Sequence, residues 1–148
     1  MREIRVARAI ILGEDKRILL GKRAEGIGAG LMELPGGKVD PGEKPRAAVV
    51  REVKEELEIT FEPIDLFRKY KDRGADGTVF ENYIFWGPAN GTPRPNPKEV
   101  SSADHFSREA LETLLFAFNH GDHIRDFYDW YEGETGIILP RKPSGDQR

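Results

Sequence analysis

Apolar and polar positions along the chain follow two periodicities. Apolar, β-branched runs cover residues 4–12 and 18–20, and runs of this kind predict buried strands. Residues 31–34, 61–73 and 78–86 predict three more strands, with a hairpin turn at 74–77. On the fourth strand Ile64, Leu66 and Tyr70 are expected to face inward. The fifth strand is the most apolar stretch, and its aromatic residues are expected mainly in the core. For Tyr83 and Trp86 the alternative is that they line a pocket for a nucleobase.

Helical spacing replaces alternation in three places. Residues 45–58 begin with a proline that suits a first helical turn, and their apolar side chains recur every three or four positions. Ser107 predicts the N-cap of a second helix starting near residue 108, and residues 122–131 predict a third. Residues 87–102 contain several prolines and predict a loop. His120 and His123 are expected at the surface or in a helix cap.

Composition narrows the class of protein. The chain has 148 residues, a formal net charge of −3 and no cysteine. This length favours one domain, predicted over residues 1–131 and followed by a loose tail over 132–148 that includes a short strand at 137–139. The weak charge excludes a polybasic nucleic-acid binder, and the lack of cysteine excludes disulfides and thiolate chemistry. No signal-peptide core or membrane-length apolar run is seen, so a cytoplasmic monomer or homodimer is expected.

Three glutamates form the strongest chemical signal. Glu52, Glu55 and Glu56 stand at positions i, i+3 and i+4 of the first helix, so their carboxylates share a face away from its apolar stripe. Adjacent like charges destabilise a helix unless a cation lies between them. Mg²⁺ prefers oxygen ligands and combines carboxylates with a substrate phosphate. The alternative is a solvated acidic face on which Arg51 pairs with Glu55.

The glycine-rich loop before this helix completes a recognisable motif. The segment Gly37–Ile59 resembles the Nudix box, G-x5-E-x7-R-E-U-x-E-E-x-G-U, in which U is aliphatic. The matching residues are Gly37, Glu43, Arg51, Glu52, Val53, Glu55, Glu56 and Ile59. Glu58 occupies the position of the second glycine. Either it adopts the strained left-handed conformation that a glycine suits, or the helix ends differently.

The resemblance implies an α/β fold, the Nudix α/β/α sandwich with a mixed sheet between helices. It further implies a Mg²⁺ site, with Mn²⁺ as an alternative ion, formed by the carboxylates of Glu52, Glu55 and Glu56 and the backbone carbonyl of Gly37. One glutamate, in the box or on a loop, would act as the general base. Glu43 and Arg51 would orient the loop and the metal ligands.

Three residues outside the box are candidates for the same site. Glu99 lies in the loop from which Nudix enzymes often supply an additional carboxylate for the metal or the base; a plain polar loop residue is the alternative. Arg23 follows the second strand and is a candidate phosphate ligand, because guanidinium binds phosphate through paired hydrogen bonds; a solvated strand end is the alternative. Asn119 is a candidate for reading a nucleobase edge or for capping a helix.

The resemblance implies hydrolysis of a nucleoside diphosphate linked to another group. Two residues that distinguish Nudix subfamilies downstream of the box are absent here. They are the proline associated with ADP-ribose hydrolysis and the tyrosine associated with dinucleoside polyphosphates. The small size is MutT-like and favours a nucleoside triphosphate, including an oxidised one such as 8-oxo-dGTP, cleaved to monophosphate and pyrophosphate. ADP-ribose or another nucleotide sugar is the alternative substrate. A nucleotide sensor without turnover is the alternative of another class, and the retained glutamates disfavour it.

Overall fold

A computed structural model describes residues 2–135, in which a mixed sheet lies between helices. The strands are β1 (Glu3–Ile11), β2 (Ile18–Arg23), β3 (Met32–Glu33), β4 (Gly36–Lys38), β5 (Thr60–Phe61), β6 (Asp65–Arg73), β7 (Val79–Gly87), β8 (Ala89–Asn90) and β9 (Val100–Phe106). The helices are α1 (Pro45–Leu57), a 3-10 turn (Ala110–Glu112) and α2 (His120–Thr135). The predicted α/β/α sandwich with a mixed sheet is confirmed.

The central sheet has the order β4-β1-β7-β6, with β1 and β7 parallel and the outer pairs antiparallel. A second sheet, β3-β2-β9, is antiparallel, and β5 pairs with β8. Alternate residues of β1 point to opposite faces, and each face is buried against a different helix. Ala7, Ala9 and Ile11 share a core with the apolar stripe of α1. Ile10 and Leu12 share the other core with α2.

The first helix matches its prediction closely, and its end explains the departure from the box pattern. Pro45 opens α1 and Leu57 closes it. Glu58 then has φ 56° and ψ 31°, the left-handed conformation, and its N–H donates to the Lys54 carbonyl at 3.0 Å. Glu58 therefore accepts the strain that a glycine would avoid.

Two predictions on strands were wrong. Residues 89–90 form β8 and residues 100–106 form β9, although a loop was predicted over 87–102. Pairing with β5 and with β2 provides ladders that the loop composition did not reveal. The predicted strand over residues 61–73 is divided into β5 and β6 around Pro63. Ile64 and Leu66 are exposed rather than inward, since β6 is the edge strand of the central sheet. Tyr70 is half-buried.

The predicted second helix is reduced to one 3-10 turn. The Ser107 hydroxyl does accept a hydrogen bond from the Ala110 N–H, at 3.2 Å. Further along, Met32 N–H donates to the Leu115 carbonyl at 2.9 Å, and Ala117 N–H donates to the Met32 carbonyl at 2.8 Å. These bonds to β3 hold the chain extended, and they replace the helical bonds that the sequence pattern favoured.

The second long helix starts before its predicted first residue, and it continues to Thr135, past the predicted start of the tail. His120 and His123 are only 3% exposed each, so the prediction of surface or capping histidines was wrong. The first turn of α2 lies over β3 and the central sheet, which buries both rings. The predicted strand at residues 137–139 lies outside the described residues.

Candidate active site

The three glutamates of α1 occupy three different environments. Packing of Val49 and Val53 into the core sets the rotation of the helix, since both are 0% exposed. That rotation places Glu56 at the edge of the core, 6% exposed, while Glu52 is half-buried. The side chain of Glu55 is 51% exposed and pairs with Arg51 at 3.3 Å. The sequence spacing predicted a shared face, and the structure adds a gradient of burial across that face.

A third carboxylate joins Glu52 and Glu56 from a loop that is distant in sequence. Oxygens of Glu52, Glu56 and Glu99 all lie within 4.8 Å of one another. The loop is held at the end of α1 because the Asn96 N–H donates to the Glu56 carbonyl at 2.7 Å. The Glu99 N–H then donates to the Asn96 carbonyl at 3.0 Å. We call Glu52, Glu56 and Glu99 the acidic cluster.

Burial opposes ionisation within the acidic cluster. Burial raises the pKa of Glu56 to about 8, and the carboxylates of Glu33 and Glu99 act in the same direction. Arg8 and a hydrogen bond from the Gly36 N–H, at 2.9 Å, oppose that rise in the Glu56 pKa. The pKa of Glu52 is also raised, first by burial and further by neighbouring carboxylates, against the effect of Arg51. The cluster therefore contains more negative charge than the protein around it neutralises.

Two consecutive glycines allow the loop to pass close to this cluster. Gly36 has φ 144°, and a Cβ added there would lie 2.1 Å from the Ala7 carbonyl oxygen. A Cβ added to Gly37 would lie 2.5 Å from a carboxylate oxygen of Glu52. Both positions require glycine for reasons of space. The carboxylate of Glu52 therefore lies directly against the Gly37 backbone. Glu55, the other predicted ligand, does not belong to the group of carboxylates within 4.8 Å, and its role in a metal site stays a prediction.

Arg51 connects the loop to the helix. Its guanidinium donates to both oxygens of Glu43, at 2.8 and 2.9 Å, and to Glu52 at 3.0 Å. It also donates to the Lys38 carbonyl at 3.1 Å. The hydrogen bonds from Arg51 are the main reason that the pKa of Glu43 is lowered to about 2, and the pKa of Arg51 is raised in turn. Arg51 therefore ties Glu43 of the loop to Glu52 of the helix, and the orienting role of this pair stays a prediction.

Arg23 is partnered rather than solvated. Its Nη1 donates to the carboxylate of Glu33 at 2.7 Å, and its Nε donates to the Ile27 carbonyl at 3.0 Å. Glu33 is 4% exposed and also lies 3.6 Å from Arg8. The alternative of a freely solvated strand end is excluded by these contacts. A phosphate contact from Arg23 stays a prediction.

Asn119 precedes α2, and its side chain does not cap that helix. Its Nδ2 donates to Asp72 on β6 at 2.8 Å, and Asn82 on β7 donates to the other Asp72 oxygen at 2.6 Å. His123 Nε2 lies 3.6 Å from Asp72, and the His123 ring stacks on Tyr70 with centroids 3.9 Å apart. We call Asp72, Asn82, Asn119 and His123 the polar cluster. Base reading by Asn119 stays a prediction.

The other histidine at the start of α2 supports the motif loop. His120 Nδ1 accepts a hydrogen bond from the Leu34 N–H at 3.1 Å. Burial lowers the pKa of His120 well below its usual value, so its ring is neutral at pH 7. Nδ1 acts as an acceptor, which places the ring hydrogen on Nε2. A neutral histidine therefore links α2 to the loop that approaches the acidic cluster.

The sequence analysis missed two charged residues, the buried Glu33 and the largely buried Arg8. Arg8 donates to the carbonyls of Leu34 and Gly36, at 2.9 and 3.3 Å, and Glu33 joins it to Arg23. The signal was present in the sequence: Arg5 and Arg8 interrupt the apolar run 4–12, and Glu33 interrupts the run 31–34. A charged residue at an inward position of a buried strand requires a partner, and the partner is often part of a site.

The two aromatic candidates for a base pocket are in different places. Trp86 packs among Phe127, Trp130 and Tyr131 of α2, with ring centroids 5.6–5.8 Å away. Tyr83 lies on the opposite face of β7, near Lys69. The structure therefore does not bring these two rings together.

Comparison with known proteins agrees with this geometry. The NUDIX domain model matches residues 2–131. The chain is 41% identical over 112 residues to an 8-oxo-dGTP diphosphatase of Escherichia coli, covering 75% of this chain and 85% of that protein. It is 34% identical over 125 residues to an ADP-ribose pyrophosphatase of Methanocaldococcus jannaschii, covering 83% and 72%. A MutT NUDIX hydrolase from Burkholderia pseudomallei superimposes with a TM-score of 0.71 at 31% identity, covering 84% and 95%.

The chain belongs to the Nudix family and is MutT-like. It is a hydrolase that acts on phosphoric anhydride bonds of small nucleotide substrates, in a family that generally uses a divalent metal ion. Within the described residues, no helix has both the length and the apolar character needed to span a membrane.

Proposed function

We propose that this chain is a Mg²⁺-dependent pyrophosphohydrolase that converts a nucleoside triphosphate and water to the monophosphate and pyrophosphate. The acidic cluster is the observation that carries the proposal, since three carboxylate oxygens within 4.8 Å of one another form a ligand set for a hard cation. Mn²⁺ accepts similar ligands and is expected to substitute for Mg²⁺.

The residues present fit a bound divalent ion. Glu56 is 6% exposed, and burial raises its pKa to about 8, so its ionised form lacks sufficient compensation within the protein. A cation would supply that compensation and hold the carboxylate ionised. The donor set contains only oxygen, which suits Mg²⁺ and disfavours softer metals. Glu52, Glu56 and Glu99 would hold the ion, with the Gly37 carbonyl beside them and Glu55 at the exposed side.

The chain's own residues position the reacting groups. A bound divalent ion neutralises phosphate charge and lowers the pKa of a coordinated water. Arg51 fixes Glu52 and Glu55 on α1, and Glu43 fixes Arg51. A carboxylate takes the proton of the attacking water as the new P–O bond forms and the anhydride P–O bond breaks. Our candidates for this base are the two exposed glutamates of the site, Glu99 within the acidic cluster and Glu55 next to it on α1.

We infer the substrate class from two side chains outside the motif, Arg23 and Asn119. Arg23 and Asn119 offer hydrogen-bond donors on the side of the motif loop that α2 covers, and we propose that they bind the phosphate and the base. The similarity to an 8-oxo-dGTP diphosphatase supports a triphosphate, including an oxidised one. The similarity to an ADP-ribose pyrophosphatase supports ADP-ribose as the second candidate.

A substrate panel tests the proposal. The purified chain is assayed with Mg²⁺ against 8-oxo-dGTP, dGTP, CTP and ADP-ribose, and pyrophosphate and monophosphate are quantified separately. We expect pyrophosphate from a triphosphate, loss of turnover in excess chelator, and recovery on adding Mg²⁺ or Mn²⁺. Turnover of ADP-ribose alone would replace the proposed substrate with the second candidate. Tight nucleotide binding with no turnover would indicate a sensor, and full turnover in chelator would overturn the metal mechanism.

Glu55→Gln and Glu99→Gln distinguish the two candidate bases. Both variants keep the shape of the side chain and remove its ability to take a proton. Loss of the base is expected to lower kcat across the whole pH range, with less effect on the Mg²⁺ concentration needed for half activity. Loss of a metal ligand is expected to raise that Mg²⁺ concentration, so titration with Mg²⁺ separates the roles.

A further inference from the structure

Phe118 combines two unfavourable features in one residue. Its φ is 52°, a left-handed conformation that disfavours every side chain with a Cβ. Its residue surface is also 61% exposed, so the ring gains little from burial. Strain of this kind in folded proteins concentrates where a side chain has to be presented to a ligand. The position therefore calls for an explanation other than core packing.

The Phe118 ring packs beside the guanidinium of Arg23, at the end of β2. The guanidinium carbon of Arg23 lies 5.3 Å from the ring centroid of Phe118. That guanidinium is fixed by Glu33 at 2.7 Å and by the Ile27 carbonyl at 3.0 Å. A second neighbour is His120, whose ring centroid lies 5.8 Å from that of Phe118. Phe118 is thus supported by two rigid partners, and most of its surface remains accessible.

A continuous series of contacts connects Phe118 to the acidic cluster. Glu33 joins Arg23 to Arg8, whose Nη1 donates to the Gly36 carbonyl at 3.3 Å. The Gly36 N–H donates to Glu56 at 2.9 Å. On the opposite side, the next residue in the chain is Asn119, which the polar cluster holds through Asp72. Phe118 is therefore connected through Arg23, Glu33 and Arg8 to the acidic cluster, and it is the chain neighbour of the amide proposed to read the base.

We propose that Phe118 stacks on the nucleobase of the substrate and so determines the preference for substrates that carry an aromatic base. The inference rests on the proposed function. It adds a residue that belongs neither to the sequence motif nor to the acidic cluster. Each nucleobase has a π face, so stacking on an aromatic side chain tolerates different bases, and the larger purines gain more contact area. Hydrogen bonds from neighbouring residues then select among the bases that stack.

The test compares substrates with and without a base. Phe118→Ala, Phe118→Trp and the wild type are assayed with dGTP and with an abasic deoxyribose triphosphate. We expect Phe118→Ala to raise KM for dGTP about tenfold, as for loss of one base–aromatic stack, with kcat nearly unchanged. Its kcat/KM for the abasic substrate should equal that of the wild type. Phe118→Trp should restore the KM for dGTP. Leu115→Ala removes a 74% exposed side chain from the same segment and should change neither substrate.

Other outcomes separate this inference from the proposed function. If the wild type hydrolyses dGTP and Phe118→Ala has the same KM, stacking is overturned and the proposed function stands. Equal losses on both substrates would show that Phe118 acts through Arg23 and would also overturn stacking. If the wild type hydrolyses no triphosphate, the proposed function itself fails. The comparison then uses ADP-ribose and its analogue without adenine, in which the diphosphate joins two riboses. An unchanged KM for ADP-ribose in Phe118→Ala overturns stacking.

Two further measurements exclude a purely structural effect. Phe118→Gly relieves the left-handed strain, so we expect its melting temperature to equal or exceed that of the wild type. In Phe118→Trp, binding of a non-hydrolysed purine nucleotide should quench an emission component that the wild type, with Trp86 and Trp130 in place, does not show. Absence of that additional quenching at saturating nucleotide would contradict contact between the ring and the base.

Discussion

The acidic cluster and the polar cluster lie on the same central scaffold and differ in how their charges are balanced. In the acidic cluster, three carboxylates approach within 4.8 Å, and burial first, then the nearby carboxylate of Glu99, raises the pKa values of Glu52 and Glu56. In the polar cluster, a single carboxylate, Asp72, accepts bonds from Asn82 and Asn119 at 2.6 and 2.8 Å. The first has excess charge that a cation can neutralise, and the second is largely satisfied within the protein. Excess charge indicates a cation site, whereas the satisfied hydrogen bonds of the polar cluster hold the side chain of Asn119 in a fixed position.

The largest expected effect concerns the charge of Glu56. Glu56→Gln keeps the volume of the side chain and removes a metal ligand, so kcat should fall at least a hundredfold, as for loss of a major electrostatic element. The fold should survive, because the change removes like-charge repulsion without touching the apolar stripe. Steady-state rates with Mg²⁺ and thermal melts in chelator measure both effects.

Two control variants accompany Glu56→Gln, one expected to leave activity unchanged and one expected to prevent folding. Glu112→Gln replaces an exposed glutamate of the 3-10 turn and should leave kcat unchanged. Val53→Asp places a charge at a position that is 0% exposed and should prevent folding. If Glu56→Gln melted early while its activity per folded molecule matched the wild type, the acidic cluster would be structural and the comparison between the clusters would fail.

The next largest effect is expected at the glycine beneath Glu52. Gly37→Ala would place a Cβ 2.5 Å from the carboxylate oxygen of Glu52, so the carboxylate has to move out of the cluster. We expect kcat/KM to fall about tenfold or more, since misplacing a ligand by about 1 Å can lower rates a hundredfold. Gly133→Ala is the matched control, because its added Cβ meets no atom within 4 Å. An unchanged kcat/KM in Gly37→Ala would show that Glu52 need not stay against the loop.

A smaller effect is expected where α2 supports the motif loop. His120→Leu removes the acceptor for the buried Leu34 N–H and should lower the free energy of unfolding by about 1–3 kcal/mol. His120→Asn places an oxygen at nearly the position of Nδ1, so it should recover part of that loss. Urea unfolding of the two variants beside the wild type measures the difference. Equal stabilities of His120→Leu and His120→Asn would show that the hydrogen bond contributes little.

Glu56 and His120 should make the stability of the fold depend on pH in opposite directions. The folded-state pKa of Glu56 is raised to about 8 from 4.5, so its contribution to stability is full below pH 4.5 and is lost as pH rises through 8. The pKa of His120 is lowered, so its contribution is present above pH 6.5 and is lost as pH falls below that value. Without metal, ionisation of Glu56 should therefore lower the melting temperature as pH rises from about 4.5 to about 8, and protonation of His120 should lower it as pH falls below 6.5. Between pH 4.5 and 6.5 the two effects oppose each other, so the net decline is expected above pH 6.5, by a few degrees.

Single variants assign each side of that profile. In chelator, Glu56→Gln should flatten the decline between pH 6.5 and 8 and expose a loss of stability below pH 6.5, and His120→Asn should remove that acid-side loss. Added Mg²⁺ should remove most of the alkaline decline in the wild type, because a bound cation favours the ionised carboxylate. An alkaline decline that persists unchanged in Glu56→Gln would assign it to another group.

The smallest effect is expected at the end of α1. Glu58→Gly restores the residue that suits a left-handed φ of 56° and should stabilise the protein by about 1 kcal/mol, less the additional chain entropy that glycine loses on folding. Because Glu58 lies outside the acidic cluster, kcat should not change. Thermal melts and a steady-state assay check the two statements, and a melting temperature below that of the wild type would show that strain is not the controlling factor.

The sequence by itself determined the regions in which neighbours in space are also neighbours in the chain. Helical spacing and one motif predicted α1, the shared face of Glu52, Glu55 and Glu56, and the orienting pair of Glu43 and Arg51. Those relations depend on local geometry with a period of 3.6 residues, which a sequence displays directly.

The tertiary structure alone decided the relations between distant segments. It selected which glutamate of α1 is buried, placed Glu99 beside that glutamate, and buried His120 and His123. It also replaced a predicted helix with an extended segment paired to β3, because backbone bonds to a distant strand outweighed local preference. Burial and long-range pairing depend on the packing of the whole domain, and no local pattern in the sequence encodes them.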